Sequence, residues 1–146
     1  ASGDTLQLTL GSVVNDTSTN AGAINTGVDG GSVAVAALAA DAAVGATSTS
    51  ELLVCAEDLT TVTINSTKTA IEAEAATQLA DGAADAQANA VNGEGALYMM
   101  DNGTDSFLFL VEETATNVGT TDAAEVALLA IFTGLDAENV HTDNFV

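Results

Sequence analysis

The stretch Gly95–Val111, GALYMMDNGTDSFLFLV, joins two dense apolar runs through a short polar loop. Leu97, Tyr98, Met99 and Met100 run into Asp101-Asn102-Gly103-Thr104-Asp105, and Phe107, Leu108, Phe109, Leu110 and Val111 run out. A glycine-containing loop of this length between aromatic and aliphatic runs predicts a β-hairpin. Neither run alternates apolar with polar residues, so both faces of the hairpin need covering, from the same chain or from a neighbouring copy. The four phenylalanines and single tyrosine all lie at or beyond this hairpin, and residues 1–97 contain no aromatic side chain. The bulky core is therefore expected in the C-terminal part.

Upstream, Asp4–Val14 opens with strict alternation, with Leu6, Leu8 and Leu10 on one face and Thr5, Gln7 and Thr9 on the other. That pattern predicts a half-buried strand. Residues 15–31 are rich in Asn, Thr, Asp and Gly, and read as turns. In Ser32–Val44 the valines favour a strand and the alanines a helix, and we assign strand to its start only. After a loop, Glu51–Ala56 is apolar, and Leu59–Ser66 interleaves Leu59, Val62 and Ile64 with Thr61, Thr63 and Asn65, predicting a second half-buried strand. Ile71, Ala75, Gln78 and Leu79 fit one face of a short helix from Ile71 to Ala80, stopped by Asp81-Gly82. Glu112–Asp122 reads as an acidic loop. Glu125–Thr133, EVALLAIFT, fits either a helix capped by Thr121 or Asp122 or a further strand. The expected fold is mainly β, an antiparallel β-sandwich or short β-solenoid-like domain with at most one short helix. A Thr/Ala/Asn-rich region, 1–93, precedes a hairpin region, 94–146, and the two can form one continuous domain.

Charge narrows the function. Twenty-one acidic residues face one basic residue, Lys68, for a formal charge of −20. Nucleic acid needs Lys or Arg to neutralise its phosphates and is excluded as a direct partner. An anionic membrane surface repels such a chain, and no apolar run is long enough to insert in a bilayer. With 47% hydrophobic residues and clear strand patterns, the chain is not of the disordered class. Self-repulsion at this density calls for a counter-charge, and calcium, abundant outside cells, is the candidate cofactor. A salt-rich habitat would account for the same charge without bound metal. Cys55 is the single cysteine, which rules out an intrachain disulfide, and its apolar neighbours predict a buried thiol. The chain starts at Ala1 without a leader pattern, so either a leader was removed or this is part of a longer product.

The runs GEGALYMMDNGTDSFLFLVEE and TDAAEVALLAIFTGLDAENV, with the terminal HTDNFV, resemble the C-terminal ends of large bacterial proteins exported by type I secretion. The matching residues are Asp101, Gly103, Thr104, Asp105, Leu129, Thr133, Gly134, Leu135, Asp143, Asn144, Phe145 and Val146. The resemblance implies a hairpin followed by a strand at Glu125–Thr133, a secretion-like tail at Asp143–Val146, and a type I export machinery as a partner. Some members of that group carry a calcium loop after the hairpin. Here Thr114, Thr116 and Val118 stand where its carboxylates would be, so that loop is not expected. The strand-like phrases DTLQLTL and DLTTVTINST resemble bacterial surface-layer and secreted fibrous proteins in composition.

Candidate sites are few. Asp101, Asn102 and Asp105 bracket a tight turn and, with Glu112 or Glu113, offer oxygens to a hard cation, although Asp, Asn and Gly are also what such a turn needs for itself. His141 is the single histidine, so zinc lacks ligands, and no constellation for catalysis is evident. Asn15, Asn65 and Asn102 head glycosylation sequons. The expected function is an extracellular or cell-surface structural protein that polymerises with itself by strand addition, with Leu6, Leu8, Leu10, Phe107 and Phe109 as subunit contacts. The alternative is a secretion or folding module at the end of a larger adhesin or exoenzyme.

Overall fold

The computed structural model describes residues 35–38, 52–80, 95–112 and 121–140. They form one five-stranded sheet of strands β1 (Val35–Leu38), β2 (Leu52–Asp58), β3 (Gly95–Asp101), β4 (Asp105–Glu112) and β5 (Val126–Thr133), in that spatial order. One α-helix, α1 (Lys68–Leu79), lies between β2 and β3 in the chain, and a 3-10 turn, Ala137–Asn139, follows β5. Among the described residues the fold is mainly β with a single short helix, as the sequence predicts. The sheet is mixed: β1, β2 and β3 are parallel neighbours, whereas β3–β4 and β4–β5 are antiparallel. Among the described residues the covering layer is a helix and a C-terminal turn, where a sandwich would place a second sheet. β2, α1 and β3 make a β-α-β crossover, which parallel neighbours require.

The hairpin accounts for the core. Tyr98 pairs with Phe109 and Met100 with Phe107, all fully buried on the face that carries Ile71, Ala75, Ala76 and Leu79 of α1. On the opposite face Leu97 pairs with Leu110 and Met99 with Leu108, and this side packs on Leu52, Val54, Ala137 and Val140. The two runs fail to alternate because both faces are covered, by α1 on one side and by the segment after β5 on the other. Phe107 and Phe109 are thus core residues with no exposed surface. Their expected role as subunit contacts is corrected.

Helix α1 starts where Thr67 accepts a hydrogen bond from the Ala70 N–H at 3.3 Å, an N-cap that frees the chain from extended geometry. Its buried residues Ile71, Ala75 and Leu79 are the predicted face, joined by Ala76 in place of Gln78, which is half-buried. The strand expected over Leu59–Ser66 does not form. β2 ends at Asp58, and Leu59 donates its N–H to the Asp101 carbonyl at 2.7 Å. Beyond it Ser66 N–H bonds the Thr63 carbonyl, Thr63 N–H bonds Ser66 Oγ, and Asn65 N–H bonds Thr63 Oγ1. Short hydroxyl side chains have offered the backbone local partners instead of a ladder. Leu59 and Val62 turn inward while Ile64 is left 42% exposed. β1, Val35–Leu38, lies near the start of the Ser32–Val44 run, as expected, and β5, Val126–Thr133, is the strand that the resemblance implied over Glu125–Thr133. The candidate strand Asp4–Val14 lies outside the described residues.

Candidate functional site

The turn between β3 and β4 has the residues of a cation site and spends them on itself. Gly103 adopts φ 79°, the left-handed conformation that glycine takes without a Cβ penalty. Its N–H donates to Asp101 Oδ1 at 2.7 Å. Asn102 Oδ1 accepts from the N–H groups of Thr104 (3.1 Å) and Asp105 (2.9 Å), and its Nδ2 donates to the Val62 carbonyl at 3.1 Å. Asp105 Oδ1 accepts from Gly134 N–H at 3.0 Å, which ties this turn to the one that ends β5. The turn is a brace between three loops. Asn102 is half-buried with both polar atoms engaged in hydrogen bonds.

Glu112 does not join this group. It pairs with Gly95 at the far end of the hairpin, roughly 23 Å from Asp105 at the usual strand rise. Glu113, Leu6, Leu8, Leu10, Asp143, Asn144, Phe145 and Val146 lie outside the described residues. Among the described residues no group of three or more Asp, Glu, His or Cys side chains is placed to hold a metal ion. No described helix is long and apolar enough to cross a membrane. Cys55 is buried in the helix-side core.

A second place stands out at β5, an outermost strand among the described residues. Antiparallel pairs alternate between bonded and non-bonded, and Glu112 N–H bonds the Glu125 carbonyl, so residues facing β4 include Glu125 and Ala127 while Val126 and Leu128 aim their backbone groups outward. Leu108 pairs with Ala130 and Phe109 with Leu128, which leaves Leu129 as the extra residue of a bulge, 47% exposed. The outward N–H of Leu128 is not left to solvent. It donates to Glu72 Oε1 of α1 at 2.9 Å, and Lys68 Nζ bonds the same oxygen one helical turn away. Partial burial pushes the Glu72 carboxyl up, but the hydrogen bonds from Lys68 and Leu128 and the Lys68 charge outweigh it and hold the group below its ordinary value. Sequence reading passed over this contact. Its one visible signal was that the sole basic residue stands four places before a glutamate on a helix.

No protein-family model, no curated protein and no solved structure matches this chain.

Proposed function

We propose that this chain is an extracellular or cell-surface structural protein that self-assembles by strand addition into a filament or surface layer. The observation that supports it most is the pair of sheet edges. β1 and β5 are outermost among the described residues, and the pairing senses make them point the same way: β1, β2 and β3 are parallel, and β5 is reversed twice relative to β3. A β5 edge added to the β1 edge of the next copy by parallel pairing is a head-to-tail contact, which builds an open polymer wherever the rotation per copy does not close a ring. β5 itself, VALLAIFT, is uncharged and free of proline and lysine in a chain of formal charge −20. The strand itself supplies no proline or charged side chain to block addition, and its protection is confined to the bulge at Leu129 and the Glu72 carboxylate on the Leu128 N–H. An alternating segment such as Leu6-Gln7-Leu8-Thr9-Leu10, donated by another copy, is the second way to pair that edge. Calcium enters as a counter-charge for the acidic surface.

Electron microscopy of the purified chain, with millimolar calcium and with excess chelator, tests the proposal. Ordered polymers support it, and their loss on chelation assigns the counter-charge to the metal. Dispersed monomers in both conditions sink it and favour the secretion module, for which the hairpin at Asp101–Asp105 and the strand running into Gly134 are the supporting features.

A further inference from the structure

We propose that the Lys68–Glu72–Leu128 contact is a guard on the outer edge of β5, and that when it opens this edge accepts a strand from a second copy of the chain. The inference rests on the self-assembly reading and adds where addition happens and what restrains it.

The argument is one of hydrogen-bond accounting at an edge. A strand adds to an edge through its outward N–H and carbonyl groups, and the outward N–H of Leu128 is held by a carboxylate at 2.9 Å. An incoming strand can take that N–H only by displacing Glu72. The carboxylate is a stronger acceptor than the incoming carbonyl, because hydrogen bonds to ionised groups are roughly twice as strong as neutral ones. It is also fixed from behind by Lys68, the one basic residue of the chain. The bulge at Leu129 adds a local kink beside the guarded position. Charged side chains and bulges are how sheets without proline or lysine edges avoid indiscriminate pairing.

A second copy is the occupant because of where the charge is not. Two chains of formal charge −20 repel each other over most of their surfaces, and approach is least opposed at a segment that carries no acid. Val126–Thr133 is such a segment, with Leu129 exposed and Leu128, Ile131 and Phe132 half-buried. The guard and the docking strand then occupy the same few backbone atoms, so one contact sets how readily the edge is used.

The test compares the whole chain with Glu72→Ala and Glu72→Gln, reading the exchange of the Leu128 amide by NMR and self-association by light scattering. Glu72→Ala is expected to lower protection at Leu128 by on the order of tenfold and to speed association. Glu72→Gln keeps an acceptor oxygen and is expected to fall between Glu72→Ala and the parent chain in both readings. Unchanged Leu128 protection in Glu72→Ala overturns the guard. Lost protection with association at the parent rate also overturns it, while leaving self-assembly intact. Lost protection with no association by any of the three chains overturns self-assembly itself, and with it the edge as a docking site. Circular dichroism at the helix band checks that each variant keeps α1, and Glu72→Gln carries the test if Glu72→Ala does not fold.

Discussion

Replacing Phe109 with alanine should cost about 3–5 kcal/mol, the usual range for removing a buried aromatic ring from a core. The site argues for the upper half of that range. Phe109 has no exposed surface, lies directly across the hairpin from fully buried Tyr98, and sits in the cluster that also holds Ile71, Ala75 and Leu79 of α1. The loss therefore combines burial, a cavity between sheet and helix, and an aromatic cross-strand pair of its own about 0.5–1.5 kcal/mol. A domain of this kind has roughly 5–15 kcal/mol in total, so the variant should lose from about a quarter of it to nearly all. In urea, with a slope of about 2 kcal/mol/M, the midpoint should fall by about 2 M. Leu129→Ala is the control: its side chain is 47% exposed on the bulge and the change should stay within about 0.5 kcal/mol. If the two variants unfold at the same urea concentration, Phe109 is not core and the packing of α1 on this face is wrong. Unchanged monomer stability with lost assembly would restore it as a subunit contact.

Three further outcomes follow from particular contacts. Because the Glu72 carboxyl is held below its ordinary value, its contribution to stability is fully present above the unfolded glutamate value of about 4.3 and is lost as pH falls through the lower folded one; chemical denaturation from pH 6 to 3 should show a shallower acid loss in Glu72→Gln, and an identical slope would refute it. Gly103→Ala should lose about 1 kcal/mol by thermal melting, entirely from backbone strain at φ 79°, because an added Cβ meets no atom within 4 Å; a stabilised variant would show the turn is not left-handed. Cys55 should react with a thiol reagent only at the rate at which the core opens, since it is 3% exposed; immediate labelling in native buffer would place it at the surface.

The parts of this fold that were legible in sequence are those where local pattern and tertiary environment agree. The hairpin and helix α1 each carry a signal that burial then reinforces: apolar density without alternation, and Ile71, Ala75 and Leu79 on one helical face. The residues of β5 fit a helix as well as a strand, and only the family resemblance pointed to the strand that forms. Leu59–Ser66 failed because an alternation of apolar residues with threonine looks the same whether the threonines face solvent from a strand or bond their own backbone in a turn. Thr63 and Ser66 do the second. The parallel crossover was equally hidden, since β2 and β3 pair across α1 and nothing local encodes which strand a run will meet. At the candidate sites the turn residues were found but their oxygens had other employment. The β5 edge was found as a strand, yet its guard came from a helix 56 residues away in sequence.

How the chain tolerates its charge can be answered from the same contacts. With one basic residue, salt bridges cannot neutralise 21 acids, and six of the described carboxylates instead accept backbone N–H groups. Asp101 takes that of Gly103, Asp105 that of Gly134, Asp122 that of Ala124, Glu125 that of Asp122, Glu74 that of Thr61 and Glu72 that of Leu128. Each of these bonds gives a carboxylate oxygen a donor from the chain's own backbone. The remaining repulsion is long-range and is relieved by any counter-ion that shortens the Debye length, from about 30 Å at 0.01 M ionic strength to about 3 Å at 1 M. Melting temperature should therefore rise with sodium chloride. Calcium and magnesium should raise it equally at matched concentration if the divalent ion acts as a diffuse counter-charge. A calcium increment well beyond that of magnesium, abolished by Asp105→Asn, would mean that the Asp101–Asp105 turn gives up its internal hydrogen bonds to hold the ion.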